Sequence, residues 1–289
     1  MRETPRHRAD PMHQRSSKHP GRADPRWLAA YRKLAVPILR KLWPVSFEGA
    51  GNLPDHNGYL LVGNHSGLGV VESVAFTEAW LTHVGEHRPL AAMAHSALMR
   101  APWFGQLLRS VGAVEATREG AAWARSSGAA VLLFPGGDHE AMRPMWRARR
   151  VDFGNHRGWI RLARELGLTV VPLAITGSHV TVPNLGASRR LAWLSGIRFA
   201  GLHRIPFPVL SIAAAVASLR LTRRRSLATR IGTGVAAYAV AVLVPIVPAK
   251  IGYHVLPPLT EAELAMDDDQ VYERVTRSIE AVLRRGGLG

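Results

Sequence analysis

The sequence predicts an α/β domain built on a mostly parallel sheet covered by helices. Three observations lead to this prediction. Apolar runs of strand length alternate with helical segments between residues 48 and 200, which is typical of a largely parallel sheet. Two of the apolar runs end in polar, glycine-bearing turns, at the place where open α/β sheets bind ligands. A chain of 289 residues is also long enough to bury a substantial core in one such domain.

The chain begins with a basic segment and an amphipathic helix. Residues 1–25 contain no apolar stretch and so are not a signal peptide; their composition predicts a disordered basic tail. From Trp27 to Trp43, apolar residues recur at helical spacing among basic residues, and Pro37 predicts a kink. We assign residues 26–47 to a helix in a membrane interface. The alternative is a surface helix packed on its own domain.

The central segment carries the sheet. Strands are predicted at residues 58–63, 129–134 and 169–175. Helices are predicted at residues 72–84, 95–110, 119–127 and 157–166. Near the end of the chain, a returning strand is expected over Ile251 to Pro258, and a closing helix runs to about Arg284. These elements belong to one domain that spans residues 48–289.

Two uncharged runs interrupt this domain at about residues 205–249. The runs are Ile205 to Leu219 and Ile231 to Ala249, and five arginines lie between them (Arg220, Arg223, Arg224, Arg225 and Arg230). The second run approaches the length that spans a bilayer, whereas the first is too short. We expect a helical hairpin that dips into one leaflet, with its arginines on phosphate headgroups at the cytoplasmic side. The alternative is two buried core helices joined by a basic loop.

Composition narrows the classes of function. The net charge of +16, from 37 Lys and Arg against 21 Asp and Glu, indicates a polyanionic partner. The absence of cysteine excludes disulfides and thiolate chemistry and argues against zinc fingers. No P-loop is present, and Gly232 to Ala237 lies in an apolar run without the carboxylate of a dinucleotide site. No recognition helix or aromatic platform accompanies the basic residues, so no specific nucleic acid is expected.

The two polar turns supply complementary chemistry. Gly63-Asn64-His65-Ser66-Gly67 follows the run from Tyr59 to Val62, and Phe134-Pro135-Gly136-Gly137-Asp138 follows the run from Ala129 to Leu133. The first turn offers a histidine, and the second offers backbone N–H groups without obstructing side chains. Together they predict a base beside an anion cradle at one edge of the sheet.

Four segments in this order resemble the glycerolipid acyltransferase family, in particular its lysophosphatidic-acid-acyltransferase-like members and the diacylglycerol-acyltransferase-like branch. The segments are Asn64 to Glu72, Gly112 to Glu119, Phe134 to Asp138 with its continuation to Arg143-Pro144, and Val171 to Ile175. The resemblance covers roughly residues 45 to 185 and returns near residues 245 to 260. It implies a glycerol-phosphate acyltransferase-like fold and an enzyme that transfers acyl groups.

The resemblance also implies roles for individual residues. His65 is the general base, with its ring oriented by a carboxylate. The family pattern places that acid where this chain has Val70, and the nearest acid downstream is Glu72. A longer loop, in which Gly67 and Gly69 permit unusual backbone angles, returns Glu72 to the ring. The alternative for Glu72 is a carboxylate that only stabilises the start of a helix.

The remaining candidate residues are assigned to substrate binding. Backbone N–H groups near Gly136 and Gly137, or after His65, are expected to stabilise an oxyanion. Arg118 and Arg143 are expected to bind a phosphate or headgroup, with a surface ion pair as the alternative for Arg143. Asp138 is expected to cap the following helix. The full set is Asn64, Ser66, Arg118, Phe134, Pro135, Gly136, Gly137, Asp138 and Arg143.

These inferences describe a membrane-associated enzyme at the cytoplasmic face of the cell membrane. It moves a fatty acyl group from acyl-CoA or acyl carrier protein, its co-substrate, to a hydroxyl of a glycerolipid or lysophospholipid, and it needs no metal or other cofactor. Anionic membrane lipids are expected partners. Two alternatives stay open: a membrane-binding scaffold of the same fold that has lost catalysis, suggested by the missing acid at Val70, and a nucleic-acid-binding protein, suggested by charge alone.

Overall fold

The structure is a computed structural model that describes residues 17–197, 203–243 and 247–285. Its strands are β1 (Val45–Glu48), β2 (Tyr59–Gly63), β3 (Leu90–Ala94), β4 (Val114–Glu115), β5 (Ala130–Leu133), β6 (Thr169–Thr176), β7 (Asn184–Ser188), β8 (Ile205–Pro208) and β9 (Ile251–Val255). Its helices are α1 (Pro25–Ala30), α2 (Val36–Leu42), α3 (Val70–His83), α4 (Ser96–Arg100), α5 (Pro102–Ser110), α6 (Arg118–Ser126), α7 (Gly137–Ala141), α8 (Gly158–Leu166), α9 (Ser178–Thr181), α10 (Arg189–Leu194), α11 (Val209–Leu221), α12 (Leu227–Leu243), α13 (Glu261–Leu264) and α14 (Asp268–Arg285). Most of the expected basic tail lies outside the described residues.

Seven strands of the described residues form one sheet in the order β1-β9-β6-β2-β5-β3-β4. The five strands from β6 to β4 are parallel to one another, whereas β9 runs antiparallel to β6 and pairs in parallel with β1. Strands β7 and β8 form a separate antiparallel ribbon. The expected class, a mostly parallel sheet covered by helices, is therefore confirmed.

Both faces of the central strand are buried. Along β2, Tyr59 and Leu61 pack into the apolar cluster on one side of the sheet, and Leu60 and Val62 pack into the cluster on the other side. Successive side chains of a strand point to opposite faces, so a strand buried on both faces becomes a continuous apolar run. This arrangement explains why β2, β5 and β6 stand out in the sequence near their predicted positions.

The helix expected over residues 95–110 is two helices, α4 and α5. They are separated at Ala101, which has extended backbone angles (φ −61°, ψ 128°). Pro102 disfavours a helical conformation in the residue before it, and its own fixed φ suits the first position of a new helix. The proline therefore starts α5 and ends α4.

The expected interface helix packs on the domain along most of its apolar face. It consists of α1 and α2 joined by a π-helical turn at residues 31–35, just before Pro37. Tyr31 and Leu39 are buried in the core, and the Tyr31 hydroxyl donates a hydrogen bond to the Val74 carbonyl at 2.9 Å. Leu34 and Ile38 remain exposed. The helix therefore packs on its own domain through one part of its apolar face, and its placement in a membrane interface stays a prediction.

Helices α11 and α12 form a hairpin whose two arms pack on each other, with Gly234 close to Leu219. Large apolar side chains on both arms are exposed, including Leu221, Leu227, Val235 and Val240. The alternative of two buried core helices is therefore wrong. No helix among residues 17–197, 203–243 and 247–285 is both long enough and apolar enough to cross a bilayer.

Candidate active site

His65 follows β2, the strand that lies between β6 and β5, so side chains from both neighbours reach it. Asn64 fixes the start of this turn. Its side-chain amide donates to the Ile175 carbonyl at 3.0 Å and its oxygen accepts from the Ile175 N–H at 2.7 Å. Asn64 is fully buried. The sequence assigned Asn64 to substrate binding, and the structure places it as a brace between two strands.

A left-handed turn connects His65 to α3. Gly67, Leu68 and Gly69 have φ angles of 58°, 57° and 75°, a region that residues with a Cβ rarely adopt. A Cβ on Gly67 would lie 2.3 Å from the Ser178 carbonyl oxygen, and a Cβ on Gly69 would lie 2.2 Å from the His65 ring. Glycine is therefore required at both positions, and the tight turn returns the first turn of α3 toward His65.

This geometry brings Glu72 to His65. One oxygen of Glu72 contacts His65 Nδ1, and the other accepts the Ser66 N–H at 3.1 Å. The carboxylate is almost fully buried, and the Tyr253 hydroxyl donates to the Glu72 carbonyl at 2.6 Å. A carboxylate on Nδ1 selects the tautomer that carries its proton there. His65 Nε2 is then left as the basic nitrogen.

Phe134 fixes the plane of the imidazole. Its ring stacks on His65 with centroids 4.6 Å apart and an interplanar angle of 9°. The phenyl ring fits there because Gly63, the last residue of β2, has no side chain; a Cβ would lie 2.8 Å from Phe134. The turn after β5 thus supplies a platform for the ring as well as backbone groups.

Neighbouring charges make His65 a stronger base than an isolated histidine. Burial opposes the charged ring, but the carboxylate of Glu72, through its charge and its hydrogen bond, and then the charge of Glu140, together raise the pKa of His65 above its ordinary value. A raised pKa means that the imidazolium is stabilised once the ring has accepted a proton. The site therefore suits general-base chemistry.

Glu140 is a second buried carboxylate that sequence reasoning missed. It lies on α7, accepts the His65 N–H at 3.0 Å, and accepts from the Arg143 guanidinium at 2.6 Å. Burial raises the pKa of Glu140 to about 7, although Arg143 and His65 both act to lower it. The spacing could have indicated Glu140. It lies four residues after Gly136, so the two residues share one face of the turn and helix.

Arg143 is engaged within the protein. Its side chain is 9% exposed, pairs with Glu140, and donates to the Ala148 carbonyl at 3.2 Å. Arg143 Nε has no hydrogen-bond partner among the described residues, and the expectation that Arg143 binds a phosphate stays a prediction. Arg118 begins α6 after β4 and pairs with Glu165 on the surface. Because β4 is three strands from β2, Arg118 is roughly 14 Å along the sheet from His65.

The other predicted residues lie in or beside the two turns. The Ser66 hydroxyl is buried and bonds to the Ser178 hydroxyl at 2.5 Å. Phe134 and Gly137 close the turn around Pro135 by a backbone hydrogen bond of 3.1 Å. Gly136 is the N-cap residue of α7 and no side chain caps this helix, so the expected cap by Asp138 is absent. Asp138 lies in the first turn instead.

Backbone N–H groups in these turns differ in availability. Those of His65 and Ser66 are bound by Glu140 and Glu72, and that of Gly137 closes its own turn. The Gly136 N–H makes no hydrogen bond within the part of the chain that the structure describes. It is a donor of the second turn that has no protein acceptor among those residues.

Comparison with known proteins points to one family. The acyltransferase family model matches residues 44–176, a segment that contains both turns. The chain is 26% identical over 167 residues to an uncharacterized protein of Mycobacterium leprae, covering 56% of this chain and 46% of that protein. It is 28% identical over 136 residues to phytyl ester synthase 1, chloroplastic, of Arabidopsis thaliana, covering 45% of this chain and 19% of that protein.

A solved structure has a related overall shape. It is the 1-acyl-sn-glycerophosphate (LPA) acyltransferase PlsC from Thermotoga maritima, with a TM-score of 0.47 and 14% identity over 91% of this chain and 84% of that one. A likeness at this level bears on neither activity nor substrate. The chain spans less than half of the length of the curated relatives it matches.

Proposed function

Residues 44–176 match the acyltransferase family model, and we propose that the chain transfers an acyl group from a thioester to a lipid hydroxyl with His65 as general base. One observation carries the proposal: the ring is bound at Nδ1 by the buried carboxylate of Glu72 and stacked on Phe134, which leaves Nε2 as the nitrogen that can accept a proton. The same arrangement of acid, histidine and backbone donor accelerates acyl transfer in serine hydrolases, where a protein hydroxyl is the nucleophile.

In this mechanism the acceptor hydroxyl takes the place of a protein nucleophile. Nε2 of His65 removes the hydroxyl proton while the oxygen attacks the thioester carbonyl carbon. The tetrahedral oxyanion is stabilised by the Gly136 N–H, and Glu72 stabilises the imidazolium. Collapse of the intermediate breaks the carbon–sulfur bond, and the leaving thiolate takes the proton from Nε2. The products are an ester and a free thiol, and the enzyme returns to its starting state.

Replacement of His65 by Ala tests the mechanism. We expect the rate of acyl transfer to fall by about 10²- to 10⁴-fold, the usual contribution of a general base. The assay measures thiol release from acyl-CoA or acyl carrier protein that depends on an added lipid acceptor. His87→Ala, at an exposed histidine, serves as the control. Equal rates for His65→Ala and wild type would show that the imidazole is not the base.

The donor and acceptor are part of the proposal. We assign acyl-CoA or acyl carrier protein as donor and a glycerolipid or lysophospholipid as acceptor. One relative is named for the synthesis of phytyl esters, so phytol belongs in the panel of acceptors with lysophosphatidate and diacylglycerol. The alternative of a scaffold without catalysis was suggested by the missing acid at position 70. Glu72 occupies that role in the geometry, so no observation now favours the scaffold.

The exposed hairpin is proposed to contact the cytoplasmic face of an anionic membrane. Several of its large apolar side chains are exposed, and arginines lie at the tip between α11 and α12. Helix α12 has 17 residues, roughly 26 Å, and buried arginines are costly in a bilayer. We therefore infer that the hairpin lies along the interface, with its arginines on lipid phosphates, and gives acyl chains a route to the site.

Vesicle binding tests this orientation. Exchange of Arg223, Arg224 and Arg225 for Gln should weaken binding to vesicles that contain an anionic lipid by about 1 kcal/mol per charge, or roughly a hundredfold for all three. The matched control is the triple exchange for Lys, which keeps the charge. Vesicles of neutral lipid should show no difference between the variants. Equal binding of all three proteins to anionic vesicles would contradict the proposal.

A further inference from the structure

A second concave region lies beside the candidate active site. This pocket has a volume of about 740 Å³. Its lining residues come from α7, from the loop before α8, and from the segment that contains α10 and the start of β8. They are Asp138, His139, Gly154, Asn155, His156, Arg189, Trp193, His203 and Arg204. Sequence reasoning assigned a role to Asp138 alone among them.

The pocket holds more positive than negative charge. Arg189 and Arg204 both line it, and Asp138 is the acidic residue in its wall. Arg204 Nε lies 3.8 Å from the Asp138 carboxylate, which is an ion pair but too long for a hydrogen bond. Arg189 has no acidic partner among the described residues. The pocket wall therefore contains one carboxylate and two guanidinium groups.

Two buried polar atoms in this wall are unsatisfied. Arg204 Nε and His139 Nδ1 are shielded from solvent and have no hydrogen-bond partner within the described residues. The His139 ring is held from its other side, where Nε2 contacts Asp152 at 3.0 Å. Buried polar atoms without partners are rare in proteins, and leaving one unpaired is costly. Arg204 Nε is a donor, so its lack of a partner in a cationic pocket indicates an oxygen-rich anionic ligand.

The electrostatics of Arg204 agree with this interpretation. Its side chain is 15% exposed. Burial, and then the positive charge of Arg189, lower the pKa of Arg204, and Asp138 compensates only in part. A bound anion would relieve both effects.

Helix α7 joins the pocket to the active site. Glu140 of α7 binds the His65 N–H, while Asp138 and His139 of the same helix line the pocket. Residues two apart on a helix point to nearly opposite sides. The pocket therefore lies across α7 from the base, about 10 Å away by the diameter of a helix, a distance that a lipid or a CoA thioester can span.

We propose that Arg189 and Arg204 form a phosphate-binding subsite for a substrate whose reacting group lies at His65. This inference rests on the proposed function for the link to His65, but the anion site itself does not. A phosphate could come from the headgroup of a lipid acceptor or from the CoA part of a thioester donor. The subsite takes the role that sequence reasoning gave to Arg118 and Arg143.

Direct binding measurements test the subsite without turnover. Calorimetric titration of the full chain uses two probes, sn-glycerol 3-phosphate for the acceptor headgroup and CoA for the donor, with glycerol and pantetheine as their phosphate-free counterparts. Arg189→Gln and Arg204→Gln should each weaken the binding of a phosphorylated probe by roughly ten- to a hundredfold. Arg190→Gln removes the same charge from the exposed neighbour of Arg189 on α10, outside the pocket, and should leave binding within about twofold.

Each outcome is decisive. Weakened binding of glycerol phosphate identifies the acceptor headgroup, and weakened binding of CoA identifies the donor. The proposal is overturned if wild type binds neither phosphorylated probe, if both pocket variants bind like wild type, or if Arg190→Gln weakens binding equally. Arg189 is exposed, so Arg189→Gln still tests the binding of the phosphorylated probes even if Arg204→Gln fails to fold. His65→Ala should keep full anion binding, which separates this test from that of the proposed function.

Discussion

Exchange of Glu72 for Gln should disable His65 as the base while keeping the shape of the side chain at position 72. Both oxygens of Glu72 accept hydrogen bonds, one at His65 Nδ1 and the other at the Ser66 N–H. Glutamine has one acceptor oxygen, so its amide nitrogen must face one of these two groups. If the oxygen stays on Ser66, the amide donates to Nδ1 and selects the tautomer with the proton on Nε2. That ring cannot accept a proton from the acceptor hydroxyl.

The expected loss is large. A wrong tautomer and an unstabilised imidazolium should together lower kcat by about 10²- to 10⁴-fold, roughly 3 to 5 kcal/mol of transition-state stabilisation. KM should change little, because Glu72 is buried beneath the ring and does not face the substrate. The matched control is Glu78→Gln, because Glu78 is a buried glutamate on the same helix that pairs with Arg40 away from His65.

The pH profile adds an independent readout. The base must be neutral to act, so wild-type activity should rise with pH through a midpoint above the ordinary pKa of histidine, because Glu72 raises the pKa of His65. In Glu72→Gln that charge is lost while burial, which lowers the pKa, remains. The midpoint should therefore move to lower pH even as the plateau falls. The reasoning is refuted if Glu72→Gln keeps both the plateau and the midpoint of wild type.

Three further predictions concern the groups around the ring. Gly69→Ala should abolish acyl transfer because its methyl group would overlap the His65 ring. The control Gly128→Ala, at a glycine with a similar positive φ in open space, should cost only about 1 kcal/mol of stability. Thermal melts measure the stability of both variants, and turnover assays measure their activity. Phe134→Leu should lower kcat by a few fold, since a stacked pair contributes about 0.5–1.5 kcal/mol, and unchanged kcat would remove the platform role. Burial raises the pKa of Glu140 from 4.5 to about 7, so its contribution to stability is fully present below about pH 4.5 and is lost as pH rises to about 7. Urea midpoints at pH 5 and pH 7 should therefore differ less in Glu140→Gln than in wild type, and an equal difference would contradict the raised pKa.

The sequence predicted the centre of the fold well because its signals are local. Strands β2, β5 and β6 are buried on both faces, so each appears as an unbroken apolar run. The edge strand β4 has two residues and carries no such signal. The N-terminal helix was harder to place, because a stripe of apolar residues looks the same whether it packs on protein or on lipid. Tyr31 and Leu39 pack on the domain, whereas Leu34 and Ile38 of the same helix stay exposed.

The candidate site was predictable where the chemistry lies within one turn. His65, Glu72 and Phe134 each stand in or beside a turn that follows a strand, and the structure brings them together. Arg143 was assigned from its charge and its place after the second turn, and its buried partner Glu140 was missed although its spacing from Gly136 carried a signal. The pocket with Arg204 was not predictable, because it depends on how the ribbon of β7 and β8 folds against α7.

The left-handed turn at residues 67–69 has a consequence for how an acid and a histidine can be spaced in a sequence. The contact between acid and imidazole depends on a path through space, and here glycine backbone angles and one extra methylene of Glu72 make up for two additional residues in the chain. The partner of a histidine can therefore migrate along a sequence without leaving its place beside the ring. Descendants of one ancestor can differ in motif spacing and still keep the same contact between acid and imidazole.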